Sequence, residues 1–155
     1  MVAWWKKLLY SLISVGLGAG LAGAWVASQQ FGQHADGRFN AMALLTTILF
    51  FDSWVIALSV PGWVLAIPMV LLVRNVAGWR FWMYWGIGIC FGPAMVLAIG
   101  VYSAVRGMSF TGVFGGYAST VYMAGGVSGL SSLIYLLLLR RAQVRATVTA
   151  SAAVA

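Results

Sequence analysis

The sequence predicts an all-α integral membrane protein, a bundle of four transmembrane helices with a short interfacial helix before the second span. Three observations predict it. Hydrophobic residues fill 63% of the 155 positions and charged residues only 7%, against roughly 25% charged in a soluble domain. Nine Lys/Arg and two Asp are too few to cover a soluble fold of this size. The basic residues stand in short clusters at the ends of long apolar runs. That is the arrangement of topology signals and anionic-lipid contacts, not of a stripe on which a nucleic acid would lie.

A crossing needs about 20 apolar residues at 1.5 Å rise. The first span is expected at about residues 8–27, directly after Lys6-Lys7. Ala22-Gly23-Ala24 also suits a signal-peptide cleavage site. The apolar run continues through Trp25 and Val26, so an uncleaved helix is expected.

Residues 41–73 carry one charge, Asp52, and their 33 residues would make a helix of ~50 Å, long for one crossing. Phe51-Asp52-Ser53-Trp54 offers a break, because Asp or Ser ahead of an apolar run caps a helix N-terminus. The reading is an interfacial helix over 41–51 and a span over 54–73, kinked at Pro61 and Pro68. The alternative is one kinked helix from about Leu44 to Val73. The third span covers 81–102 and includes Cys90 and Pro93, and the fourth covers 115–139. Residues 1–141 thus form one membrane domain, while the small, aperiodic tail 142–155 reads as disordered.

Orientation follows from the cations. With the N-terminus inside, Lys6, Lys7, Arg74, Arg80, Arg140, Arg141 and Arg145 are cytoplasmic, and Arg38 and Arg106 lie outside. This positive-inside bias predicts both termini in the cytoplasm, at a plasma membrane of bacterial inner-membrane type.

Function is read mainly through exclusions. The chain has no Glu, one His, two Asp and one Cys. Paired intramembrane carboxylates, a zinc-protease helix, haem ligation between spans and thiol–disulfide chemistry therefore have no residues to build on. His34 and Asp36 share an outer loop with Arg38, but no further ligand completes a metal site. No catalytic site, metal or cofactor is expected.

Small residues carry the remaining signal. Gly16, Gly20 and Gly23 recur on one face of the first span, Gly88 and Gly92 in the third, and Gly125 and Gly129 in the fourth. They suit close helix packing, either inside the bundle or against a partner. The expectation is a noncatalytic small polytopic membrane protein, an accessory or assembly subunit packing through these faces. Its expected partners are the lipid bilayer and a homo-oligomer or larger membrane complex, with no nucleic acid. The competing expectation is a small proton- or cation-coupled transporter or channel using Asp52, the candidate for ion coupling.

Overall fold

The structure, a computed structural model, describes residues 2–33, 41–107 and 116–152. Four helices make up the described elements: α1 (Trp4–Gln33), α2 (Ala41–Leu72), α3 (Trp79–Val105) and α4 (Tyr117–Ala152). Three stretches, Trp4–Trp25, Trp79–Val105 and Ala118–Thr149, are long and apolar enough to cross a membrane, and α2 contributes a shorter apolar segment, Ser59–Leu72.

The outer faces agree with an apolar solvent. Leu9, Leu12, Leu17 and Leu21 on α1, and Leu97, Val101 and Val105 on α3, are all exposed. Water would drive such faces together, whereas lipid tails leave them free. The buried apolar cluster is small and lies at one end: Val73, Val76, Phe81, Tyr135, Leu136 and Leu139.

Two expectations are corrected here. The break at Phe51–Ser53 does not occur, and α2 runs unbroken from Ala41 to Leu72 in place of an interfacial helix over 41–51 and a separate span over 54–73. Ser53 does not cap. Its hydroxyl donates to the Leu49 carbonyl one turn back, at 2.7 Å, as Thr46 does to Met42. No Gly or Pro falls between Ala41 and Val60, so nothing stops the helix from propagating through the polar pair. The tail is the second correction. Residues 142–152 continue α4 rather than fray, because Ala, Gln and Arg favour helix and Thr147 and Thr149 bond back to the Val144 and Arg145 carbonyls. The loop holding His34, Asp36 and Arg38 lies outside the described residues.

Helix α2 packs on α1, α1 on α4, and α4 on α3. Helices α2 and α3 follow each other in the chain but do not pack extensively on one another. The turn between them ends at Gly78, whose φ of 56° lies in the left-handed region that glycine enters without strain.

The end of the bundle carrying this turn is tied by side chains. The terminal carbonyls of α2 have no partner of their own. Tyr135 of α4 donates to the Val70 carbonyl at 3.0 Å, and Lys7 of α1 donates to those of Leu71 and Val73 at 2.9 and 2.5 Å. Gln143 holds the turn itself: its Nε2 donates to the Arg74 carbonyl at 2.7 Å and its Oε1 accepts from the Val76 N–H at 3.3 Å.

Candidate functional site

Proline and glycine set the geometry of the α3–α4 seam. Pro93 has no N–H, so the Ile89 carbonyl one turn earlier loses its helical donor. Ser128 of α4 takes that place, its hydroxyl donating to Ile89 O at 3.2 Å while accepting from the Gly92 N–H at 3.3 Å. The Pro93 ring lies against Gly125, where an added Cβ would come within 3.2 Å of Cγ. Gly88 faces Ser132, Gly92 faces the Ala124 carbonyl, and a Cβ at Gly129 would stand 2.9 Å from Ile89 Cγ1. Trp85 Nε1 donates to the Gly129 carbonyl at 3.0 Å. Every one of these contacts needs backbone-to-backbone approach that a larger residue would block.

Helix α1 packs on the other side of α4 through Gly18, which presses on Ser131. Ser11, Ser14 and Ala19 are buried beside it. Ser14 donates to the Tyr10 carbonyl and Ser11 to Leu8 O, and Ser11 Oγ accepts from Trp63 Nε1 of α2 at 3.1 Å.

Between α2 and α3 these contacts leave a half-open cavity of about 640 Å³, within the ~300–1,000 Å³ range of small-molecule sites. Its back wall comes from α1 and α4 (Ser14, Val15, Val127, Ser131), and its flanks from α2 (Pro61, Gly62, Ala66, Met69) and α3 (Phe91, Met95, Ile99). The plug of Val73, Tyr135 and Leu136 closes one end. The hydroxyls in the wall do not make it polar. Ser11, Ser14, Ser128 and Ser132 each donate to a helix carbonyl, and the Ser131 hydroxyl is buried against Gly18, so these five leave mostly hydrocarbon at the surface. The chain matches no protein-family model, no curated protein and no solved structure.

The glycines singled out in the sequence divide by helix. Gly88, Gly92, Gly125 and Gly129 meet across the α3–α4 seam within one chain. On α1 the buried face includes Ser11, Ser14, Gly18 and Ala19 together with Gly23. Gly16 is exposed with nothing within 4 Å of its Cβ position, Gly20 is half-buried, and Gly23 is buried. Asp52 falls within unbroken α2, about 30 Å of helix from Leu72. Cys90 is exposed on α3.

Ser128 and Ser131 are the wall residues that sequence reasoning passed over. Each lies on the α4 face where small residues recur every three or four positions, Ala124, Gly125, Ser128, Gly129, Ser131 and Ser132. That spacing is a usable signal once hydroxyls are counted as small residues. The lining of the cavity, among the described residues, consists of apolar side chains with Ser, Thr and Tyr hydroxyls and Trp63. Among the described residues, no three His, Cys, Asp or Glu side chains gather into a metal-binding group.

Proposed function

We propose that this chain is a small noncatalytic membrane protein, accessory in kind, whose working surface is the cleft between α2 and α3. In this reading all four helices cross the bilayer and the end bearing Lys7, Arg74 and Arg140 faces the cytoplasm. The cleft takes an apolar chain from the surrounding lipid. One observation supports this above the others: the cavity is bounded by all four helices, yet the two that flank it leave its side unpacked.

Dimensions favour a hydrocarbon chain over a partner helix. From Tyr84 to Ile99 the cavity follows α3 for ~22 Å. The space open to the centre of a water molecule is about 640 Å³, roughly 6 Å across over that length and ~9 Å between walls once the water radius is added, whereas an α-helix with its side chains is about 10–12 Å. A helix could enter only by parting α2 from α3. The length exceeds the ~15 Å half-thickness of a hydrocarbon core, so one leaflet's acyl chain fits.

The test is photo-crosslinking in reconstituted membranes with a phospholipid carrying a diazirine on its acyl chain. Adducts are expected to concentrate on Ala66, Met95 and Val127, and to fall away when Gly62→Leu and Ala66→Phe fill the cleft. Labelling spread evenly over Leu12, Leu17 and Val101 on the outer faces would overturn the reading.

A further inference from the structure

Four cations stand just past the plugged end of the cleft. Lys7 stands one helical turn before Ser11 on α1, and Arg80 one turn before Tyr84 on α3, while Ser11 and Tyr84 both line the cavity. On α4, Arg140 stands one turn beyond the lining residue Leu136, and Arg74 directly follows the lining residue Val73. Residues four apart in a helix share a face, so α1, α3 and α4 each place a positive charge at the same end of the cleft, and Arg74 adds one from the turn after α2. Lys7 is fixed there by its bonds to the Leu71 and Val73 carbonyls. The side chains of Arg74, Arg80 and Arg140 are exposed. The sequence holds two side-chain carboxylates, Asp36 and Asp52, and Asp52 stands 20 residues before Leu72 on α2, about 30 Å of helix away.

Resting on the reading of the cleft as a site for an apolar chain, we propose that its ligand is an anionic phospholipid, with an acyl chain in the cleft and its phosphate against Lys7, Arg74 and Arg80. Two features that are each common become specific by adjacency. Cations at a helix end attract any anionic surface, and an apolar groove accepts any hydrocarbon. A narrow groove open along its side, with four cations just past its plugged end, matches a molecule with a hydrocarbon chain and a negative head joined at that distance. The depth also fits, because snorkelling Lys and Arg place their charges at the phosphate level while their stems stay in the hydrocarbon. A zwitterionic lipid would fill the groove equally well and would gain less at the rim.

The experiment uses the full chain in mild detergent, titrated with dioleoyl phosphatidylglycerol or dioleoyl phosphatidylcholine and read by native mass spectrometry. One phosphatidylglycerol is expected to be retained in preference to phosphatidylcholine. Arg74→Gln with Arg80→Gln should weaken that preference by about fivefold for each cation removed, leaving phosphatidylcholine retention unchanged. Both side chains are exposed, and the contact Arg74 makes to Gln143 is through its backbone carbonyl, so the double variant keeps the fold's own bonds. Filling the cleft with Gly62→Leu and Ala66→Phe should abolish retention of both lipids.

Equal retention of the two lipids by the native chain overturns the headgroup assignment and leaves the apolar-chain reading standing. Retention that survives filling of the cleft overturns both. Displacement of phosphatidylglycerol by inorganic phosphate overturns the inference too, since it would mean that the rim binds alone. A dimer that forms without lipid and is lost on filling the cleft would make a second copy the occupant, and would also overturn it.

Discussion

Ser128 on α4 donates to the Ile89 carbonyl on α3, the one that Pro93 strips of its helical partner. A proline inside an apolar helix leaves an acceptor that lipid cannot satisfy, and a neighbouring hydroxyl is one of the few remedies. The same turn of α4 supplies Gly125 to receive the ring. The proline of α3 and the docking of α3 on α4 are therefore a single feature.

Ser128→Ala is expected to cost about 1–2 kcal/mol, measured by unfolding in detergent. The informative comparison is the same change in a Pro93→Ala background. There the restored N–H of residue 93 can bond Ile89 O within the helix, and Ser128→Ala should cost at least ~0.6 kcal/mol less. Equal costs in the two backgrounds would show that the hydroxyl matters for another reason.

The glycines of α3 and α4 should respond very differently to a single methyl group. A Cβ at Gly92 collides with the backbone carbonyl of Ala124, which no rotamer change can relieve, so Gly92→Ala is expected to lose about 2 kcal/mol or more. Gly86 and Gly126 have nothing within 4 Å of the added atom. Replacing either with Ala should leave stability unchanged or raise it by up to ~1 kcal/mol through helix propensity. Thermal unfolding of the three variants in one detergent checks the ranking, and similar losses at all three positions would contradict the seam.

These contrasts show where sequence reading stopped. Four helical segments were readable from the lengths of the apolar runs, and the recurrence of Gly88, Gly92, Gly125 and Gly129 marked close packing. Spacing within a helix says nothing about which helix lies opposite. The same stripe that suits an outside partner serves the α3–α4 seam here. On α1 the glycine spacing included an open position, Gly16, and omitted Ser11 and Ser14, which as small hydroxyls bonded to their own helix pack as well as glycine does. Asp52-Ser53 reads as a cap from local chemistry, yet a cap is only a preference, and with no Gly or Pro between Ala41 and Val60 the helix propagates through the pair. The cleft was beyond reach altogether. It arises from two consecutive helices that do not pack extensively on each other, and no local pattern encodes that.

Ser131 sets up an unusual expectation. Its Oγ is buried against Gly18 and has no hydrogen-bond partner. A desolvated hydroxyl without a partner costs about 1–3 kcal/mol, so Ser131→Ala should stabilise the protein by up to ~1 kcal/mol, less whatever packing the oxygen supplies. Gly18→Ala should do the reverse, since its Cβ would occupy the same space as the hydroxyl. Combining them separates the two effects: Ser131→Ala should recover part of the loss caused by Gly18→Ala. A destabilising Ser131→Ala would mean that the hydroxyl is satisfied.

Gln143 connects the extension of α4 to the turn between α2 and α3, accepting from the Val76 N–H and donating to the Arg74 carbonyl. Val76 is 1% exposed and belongs to the plug that closes one end of the cleft. Loosening the turn should therefore be felt at the plug. Gln143→Ala removes both bonds and is expected to speed amide exchange at Val76 by about tenfold, the equivalent of ~1.4 kcal/mol in local opening. Gln143→Glu keeps an acceptor for Val76 and loses only the donor to Arg74, so Val76 should stay protected while the preceding residues exchange faster. Hydrogen exchange read by mass spectrometry on peptides covering 70–80 and 140–150 checks both. In the native chain, amides 144–150 should be protected as a continuous helix. Free exchange there would show that α4 ends before Gln143 and that the turn is held by Lys7 and Tyr135 alone.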